Sequence, residues 1–374
     1  MCGRAKHAFA VASPVISISE LKAKGREAQL AVLLHNKRSL LDGMVFEAVL
    51  DQKFFRVSSV DLEAIPCQAM VAAIPSRKRP LVFVWFTAEN RHRSALINLL
   101  SAHYDVHEVA FDADRQDFSV SSEPCGCPGE LLSEFLARIT GRPPSVTLRD
   151  IPDHDQLGQK AVTYGFLQFG SFESTILPRI LKDFRIEPYC RQCWDLDRFF
   201  AYRGSIWSLE VKHKYPTRGG YFGLNKGQVG EIVTLTACGL GYLHLVFVKP
   251  HWNSVHSSME LLLDQKLAEH IGIIGCTIDH DYAVRLMKSP DKEAPAKTSL
   301  TGTRPQAYKK LGLDRFYTMG LYSEDAEKKI WPRILRLMSG QVPAGGPMTL
   351  ARLESLRIEG RDPAVLMRGQ LAAP

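Results

Sequence analysis

Apolar and polar positions fall into two patterned stretches separated by turn-rich sequence. The first begins with Leu81-Val82-Phe83-Val84-Trp85-Phe86, an unbroken apolar run that predicts a strand buried on both faces. Arg91 to Ala102 then repeats its apolar residues at helical spacing, and Val106 to Phe111 reads as a second strand. A strand, helix, strand order predicts a βαβ unit and an N-terminal α/β layer. The second, better-patterned stretch spans residues 161 to 250. It predicts a helix over Ser171 to Phe184, strands over Trp194 to Phe200 and Ile206 to Lys214, a helix near Lys226 to Cys238, and a strand over Tyr242 to Val248. Helical patterns recur at Ser257 to His270 and around Ser323 to Ser339, with a polar linker, Lys288 to Pro295, between them. Before the first stretch there is only a strand-like Val15 to Ile18 and a helix entry at Ser19-Glu20-Leu21.

A chain of 374 residues exceeds what one average core supports, so two domains or one enlarged domain are expected. The turn signal Gly141-Arg142-Pro143-Pro144 suggests a boundary between 141 and 160. The expected division is an α/β recognition or regulatory domain over 1–150, a central domain over 155–285, and a linker with a helical C-terminal extension over 286–374. A hydrophobic content of 45% with 23% charged residues excludes a disordered chain. The net charge of +7 permits a polyanionic partner without requiring one. No apolar run approaches the roughly eighteen residues of a membrane helix, and no signal segment opens the sequence, so a cytoplasmic protein is expected. Eight cysteines spread over this length read as reduced thiols. Cys190 and Cys193 have zinc-knuckle spacing that Cys125 and Cys127 would complete, but the second pair is too closely spaced and too distant to favour that site.

The chemistry concentrates where Trp194-Asp195-Leu196-Asp197-Arg198-Phe199-Phe200 is followed by Ala201-Tyr202-Arg203-Gly204-Ser205 and Ile206-Trp207-Ser208-Leu209-Glu210-Val211-Lys212-His213-Lys214. A two-residue turn at Arg203-Gly204 makes this a hairpin in which Asp197 faces Glu210 and Asp195 faces Lys212. Strand alternation then puts all four charged groups on one side, with Leu196, Leu209 and Val211 on the other. A longer turn would exchange the roles of Asp195 and Asp197. Carboxylates this close repel unless a cation lies between them, and hard oxygen ligands suit Mg²⁺ or Mn²⁺. A neighbouring ammonium can orient water and stabilise charge on a phosphate.

An aspartate on one strand followed across a short hairpin by Glu-x-Lys resembles the PD-(D/E)xK nuclease core, with Asp197, Glu210 and Lys212 as the matching residues and the proline absent. Glu173, in the helix that Gly170-Ser171-Phe172 opens, is similar to the first-helix glutamate of Holliday junction resolvase-like members. Gln228 is similar to the glutamine or lysine that follows the Glu-x-Lys strand in RecB-like exonucleases. The resemblance covers roughly residues 161 to 250. It implies a restriction endonuclease-like α-β-β-α-β core with a mixed sheet, hence an α/β fold. It also implies a metal-dependent nuclease that hydrolyses phosphodiester bonds, with DNA the expected substrate. On that reading Asp197, Glu210 and the Val211 carbonyl hold Mg²⁺ or Mn²⁺ with Glu173 assisting, Lys212 orients water, and Gln228 supports the lysine or a phosphate.

His213, Lys214, Arg218 and Lys226 are the basic residues expected to track a phosphate backbone. Cutting both strands with one site per chain would favour a homodimer. Two other functions fit the same sequence: a catalytically silent nucleic-acid-binding or assembly protein, and a defence effector whose N-terminal layer senses a nucleotide or protein regulator. The bland reading is a solvated sheet face whose opposite charges pair for a few tenths of a kcal/mol.

Overall fold

The computed structural model describes residues 18–25, 28–29, 40–55, 61–74, 77–121, 129–141, 166–190, 192–217, 219–252, 262, 265–294 and 306–358. Strands numbered along the chain build three sheets. The first sheet runs, in spatial order, β1 (Leu62–Ile65), β8 (Arg198–Tyr202), β9 (Ser205–Lys214), β11 (Gly241–Val248), β12 (Gly272–Thr277) and β15 (Tyr317–Leu321). It is mixed, because β9 and β11 are parallel while the other pairs are antiparallel. The second sheet runs β6 (Glu130–Leu131), β5 (Asp117–Val120), β4 (Asp105–Asp112), β3 (Leu81–Phe86), β2 (Cys67–Ala73) and β7 (Gln192–Leu196). A small third sheet orders β10 (Tyr221–Asn225), β14 (Gln306–Gly312) and β13 (Lys292–Ala294).

The two-residue periodicity of the strands decides what covers the first sheet. Leu209, Val211, Leu245 and Phe247 meet Phe46, Val49 and Leu50 of the helix Leu40–Lys53, Phe54 just after it, and Trp331 and Ile334 of the helix Trp331–Met338. From the same strands Ile206, Tyr242 and Val246 pack the other way, with Val229, Ile232 and Leu235 of the helix Lys226–Ala237 and with Ala283 and Leu286 of the helix His280–Lys288. Helices on both faces of a mixed sheet make this an α/β protein. The expected βαβ unit is present: β3 and β4 pair in parallel and are joined by the helix Arg93–Ser101.

Several expectations are corrected. The predicted strand Trp194 to Phe200 breaks at Asp197: β7 pairs with β2 in the second sheet, and β8 pairs with β1 and β9 in the first. Asp195 therefore lies opposite Met70, not Lys212. The predicted helix from Ser171 winds unevenly, with wide turns over Phe172–Ile176 and Leu181–Ile186 flanking Leu177–Ile180. Pro178 lies inside it and lacks the N–H that a regular α-turn would use. Part of the polar linker, Lys292–Ala294, is strand β13, because β14 offers it a free edge. Of the strand-like Val15 to Ile18 only Ile18 is described, and it starts a short helix. Residues 142–165, where the boundary is expected, lie outside the described residues. The two sheets also exchange strands across the expected division, since β1 joins the first sheet and β7 the second.

Trp331 ties this frame together. Its indole Nε1 donates to the Phe54 carbonyl at 2.8 Å, and its ring lies against Phe54, Phe55 and Phe200. Trp331→Ala should cost about 3–5 kcal/mol through the cavity it leaves and the orphaned carbonyl. Urea unfolding followed by far-UV circular dichroism measures the loss.

Candidate active site

The hairpin turn sets the geometry. Arg203 and Gly204 both adopt positive φ, 49° and 77°, the backbone a two-residue turn of matched twist requires. The predicted register follows, from Tyr202 opposite Ser205 to Arg198 opposite Leu209. One residue further, β8 ends, and the Asp197 carboxylate accepts the Val211 N–H at 2.8 Å. A side-chain oxygen thus takes the place of the departing strand's carbonyl. Because the N–H and C=O of a strand residue point the same way, the Val211 carbonyl faces the opening that β8 vacates.

On β9 the alternation points Glu210 and Lys212 toward the helix Lys226–Ala237. Glu210 is buried and forms an ion pair with the Lys212 ammonium. The same carboxylate accepts a hydrogen bond from the Gln228 amide. Burial alone would weaken the charge on Lys212, but Glu210 and Asp197 outweigh it and hold the ammonium above its ordinary pKa. Asp197 shifts the other way: burial, and then the neighbouring Glu210, Glu47 and Asp195 charges, push its carboxyl well above the usual range.

Beyond Asp197 a cleft of about 210 Å³ opens between the two larger sheets. Within it the carboxylates of Glu47, Asp195 and Asp197 bring oxygen atoms to within 4.8 Å of one another. Glu47 comes from the helix Leu40–Lys53, Asp195 from β7 and Asp197 from the break between β7 and β8. Arg179 and Lys182 balance part of this charge. Arg179 reaches Asp195 at 2.8 Å and also pairs with Glu47, while the Lys182 Nζ lies 2.9 Å from Asp195. Despite the burial penalty, the two cations hold the Asp195 carboxyl far below its ordinary pKa. Arg198 is bound to Asp51 at 3.0 Å and lies over the Phe55 ring. Glu47 and Asp197 are hard oxygen donors with room for water between them, a set that fits Mg²⁺ or Mn²⁺.

Of the residues expected from sequence, Asp197, Glu210, Val211, Lys212 and Gln228 come together around the β9 end. Glu173 does not join them: it is exposed on the first turn after Ser171 and does not line the cleft. Glu47 supplies the helix carboxylate instead. The sequence signal for it was a helix-forming stretch, Leu40–Lys53, with Glu47 and Asp51 four residues apart on one face. Arg179 and Lys182 were also missed, although both fall in the predicted helix.

The basic residues behave differently from expectation. His213 points to the opposite side of β9, where its ring stacks on Phe46 at 5.4 Å and burial pushes its pKa well down. The alternation that exposes Lys212 to one face commits His213 to the core. Lys214 donates to the Gly223 carbonyl at 2.9 Å, and burial followed by Lys212 repulsion lowers it to about 8. Lys226 pairs with Asp291 at 2.6 Å. Arg218 lies outside the described residues, as do Cys125 and Cys127. Cys190 and Cys193 are free thiols. No protein-family model, no curated protein and no solved structure matches the chain.

Two substitutions test this charge arrangement. Asp195→Ala leaves Arg179 and Lys182 without their shared partner and should cost about 3–5 kcal/mol. Asp197→Asn should act oppositely. With its folded pKa raised above the unfolded value, Asp197 makes the folded state bind more protons, so stability falls as pH rises from the ordinary carboxylate range. The Tm of Asp197→Asn minus that of the unaltered protein should therefore grow between pH 4 and pH 8, as read by thermal melts.

Proposed function

We propose that the protein is a metal-dependent nuclease that hydrolyses phosphodiester bonds. The observation that carries this reading is the hydrogen bond from Val211 N to Asp197, which locks the hairpin register and brings Asp197 to Glu210-x-Lys212. The order of elements supports it too. The helix Leu40–Lys53, β1, the β8–β9 hairpin, the helix Lys226–Ala237 and β11 form a run in which β1, β8, β9 and β11 are neighbours. This extends the expected α-β-β-α-β order by one strand and replaces its first helix, with Glu47 where Glu173 was expected.

On this reading, Glu47, Asp197 and the Val211 carbonyl would hold the ion, with Glu210 next to Asp197. When bound, the divalent cation supplies positive charge that offsets the build-up on the phosphate oxygens. The remaining steps fall to the chain's own residues. Lys212 is held in its charged form, so it is an orienting cation and not a base. Its three donors can fix an attacking water and share the negative charge that develops at phosphorus. Gln228 and Lys212 both engage Glu210, which keeps the ammonium aimed along the strand. Arg179 bridges Glu47 and Asp195 and lowers their repulsion before any cation arrives.

The test is cleavage of supercoiled plasmid and of single-stranded DNA in Mg²⁺, Mn²⁺ or EDTA. Lys212→Ala and Glu47→Gln should each reduce metal-dependent cleavage by about 10²–10³-fold, the scale of losing one charge-stabilising group. Glu173→Ala should leave cleavage near its original rate. A fully active, folded Lys212→Ala would overturn the assignment.

A further inference from the structure

The third sheet lies at the end of the catalytic strand. A tight turn joins them, with Thr217 N bound to the Tyr221 carbonyl at 3.0 Å and Gly220 N to the Thr217 carbonyl at 2.9 Å. Lys214, two residues beyond Lys212, fastens to this sheet through the Gly223 carbonyl at 2.9 Å.

Register and alternation divide its two faces. Phe222, Leu224, Leu311 and Lys309 face inward and are buried. The opposite face carries Tyr221, Gly223 and Asn225 from β10, Tyr308 and Lys310 from β14, and Lys292 from β13 opposite Tyr308. Among the described side chains of these three strands, no Asp or Glu shares that face. Lys292 and Lys310 are exposed.

The tyrosines are arranged as a platform. Tyr221 and Tyr308 lie nearly parallel, 20° apart with centroids at 6.4 Å, and their hydroxyls share a hydrogen bond of 3.2 Å. Glycine at position 223 makes this possible: a Cβ there would come within 3.1 Å of the Tyr308 ring, so the ring lies over bare backbone. The Lys310 ammonium sits 4.4 Å from the Tyr221 centroid.

Two flat aromatic rings, each with a lysine beside it, complement the alternation of base and phosphate in a polynucleotide; the Asp314 carboxylate, over Gly312 opposite Tyr221, bounds the face at that end. Ring faces are useful only to unpaired bases, since a duplex keeps its bases stacked on one another. We infer that Tyr221, Tyr308, Lys310 and Lys292 form a binding platform for single-stranded nucleic acid, next to the catalytic strand. This deepens the nuclease reading and rests on it only for its biological sense. The platform delivers an unpaired strand to the β9 end, with bases on the tyrosines and phosphates on the lysines.

The experiment measures fluorescence anisotropy of labelled 12-mers in EDTA, where cleavage is off: oligo(dT), oligo(rU) and a mixed-sequence DNA duplex. Single strands should bind tighter than the duplex. Tyr308→Ala should weaken them roughly 10-fold, within the range for one stacked base. Tyr308→Phe, which keeps the ring and loses only the hydroxyl, should stay within about two-fold if stacking carries the affinity. Lys310→Ala should reduce the slope of log affinity against log salt by about 0.7. Comparison of the two single strands identifies the sugar preferred. Unchanged single-strand affinity in a folded Tyr308→Ala, or duplex bound as tightly as single strands, would overturn the platform. The two readings fail separately: binding lost with Tyr308→Ala but no metal-dependent cutting removes the nuclease, and cutting that needs Lys212 with binding indifferent to Tyr308 removes the platform.

Discussion

The hydrogen bond from the Val211 amide to the Asp197 carboxylate is where the molecule's two larger sheets, its hairpin and its charge cluster meet. A strand that leaves its neighbour exposes backbone donors, and a buried unpaired donor costs about as much as a lost hydrogen bond. Asp197 removes that cost at the point of departure. The chain is then free to hand β7 to the second sheet while β8 stays in the first. Because the acceptor is a carboxylate, the same residue that closes the ladder carries charge into a low-dielectric place, next to Glu210 and within reach of Glu47 and Asp195.

The site therefore holds opposing demands in one small volume. Asp195 is satisfied by Arg179 and Lys182, Glu210 by Lys212 and Gln228, and Glu47 by Arg179. Asp197 has a backbone amide and the more distant Lys212 and Arg198 to set against burial and three carboxylates, and its raised pKa is the consequence. A buried ion pair is weak evidence for net stability, since desolvation can exceed the attraction. What the arrangement supplies is position: each cation holds a carboxylate at a fixed place around the opening left by β8.

How much of this was legible in the sequence follows from the range of each interaction. The hairpin was legible because a two-residue turn and alternating burial fix register locally, so Asp197, Glu210 and Lys212 could be placed from about twenty residues of text. The helix Lys226–Ala237 and strand β11 followed from periodicity. Glu47 was not legible, since it reaches Arg179 across 132 positions and no local pattern encodes that contact. His213 was misjudged for the opposite reason: its residue type suggested a phosphate contact, whereas strand alternation, already used for its neighbours, assigned it to the face of Leu209 and Val211. Asp195 shows the limit of extrapolating a ladder, because pairing ends wherever another sheet competes for the strand.

That competition also settles how the N-terminal layer relates to the site. Residues 66–197 separate β1 from β8, yet the two strands are paired, so the second sheet is built within the connection between neighbours of the first. Its helix Arg93–Ser101 contributes Leu96 and Leu100 to the same buried cluster as Ile232 and Leu235 of the helix Lys226–Ala237. The Tyr104 hydroxyl donates to Glu231 at 3.0 Å, and burial pushes that carboxyl up to about 7. Glu231 stands three residues, one helical turn, after Gln228, the residue that holds Glu210. The layer is therefore part of the frame behind the Glu-x-Lys strand: it pairs with the strand that brings Asp195, it packs on the helix that brings Gln228, and it closes one wall of the cleft. A regulator that acted on this layer would have a short path of packed contacts to Glu210, from Tyr104 through Glu231 and the helix that carries Gln228.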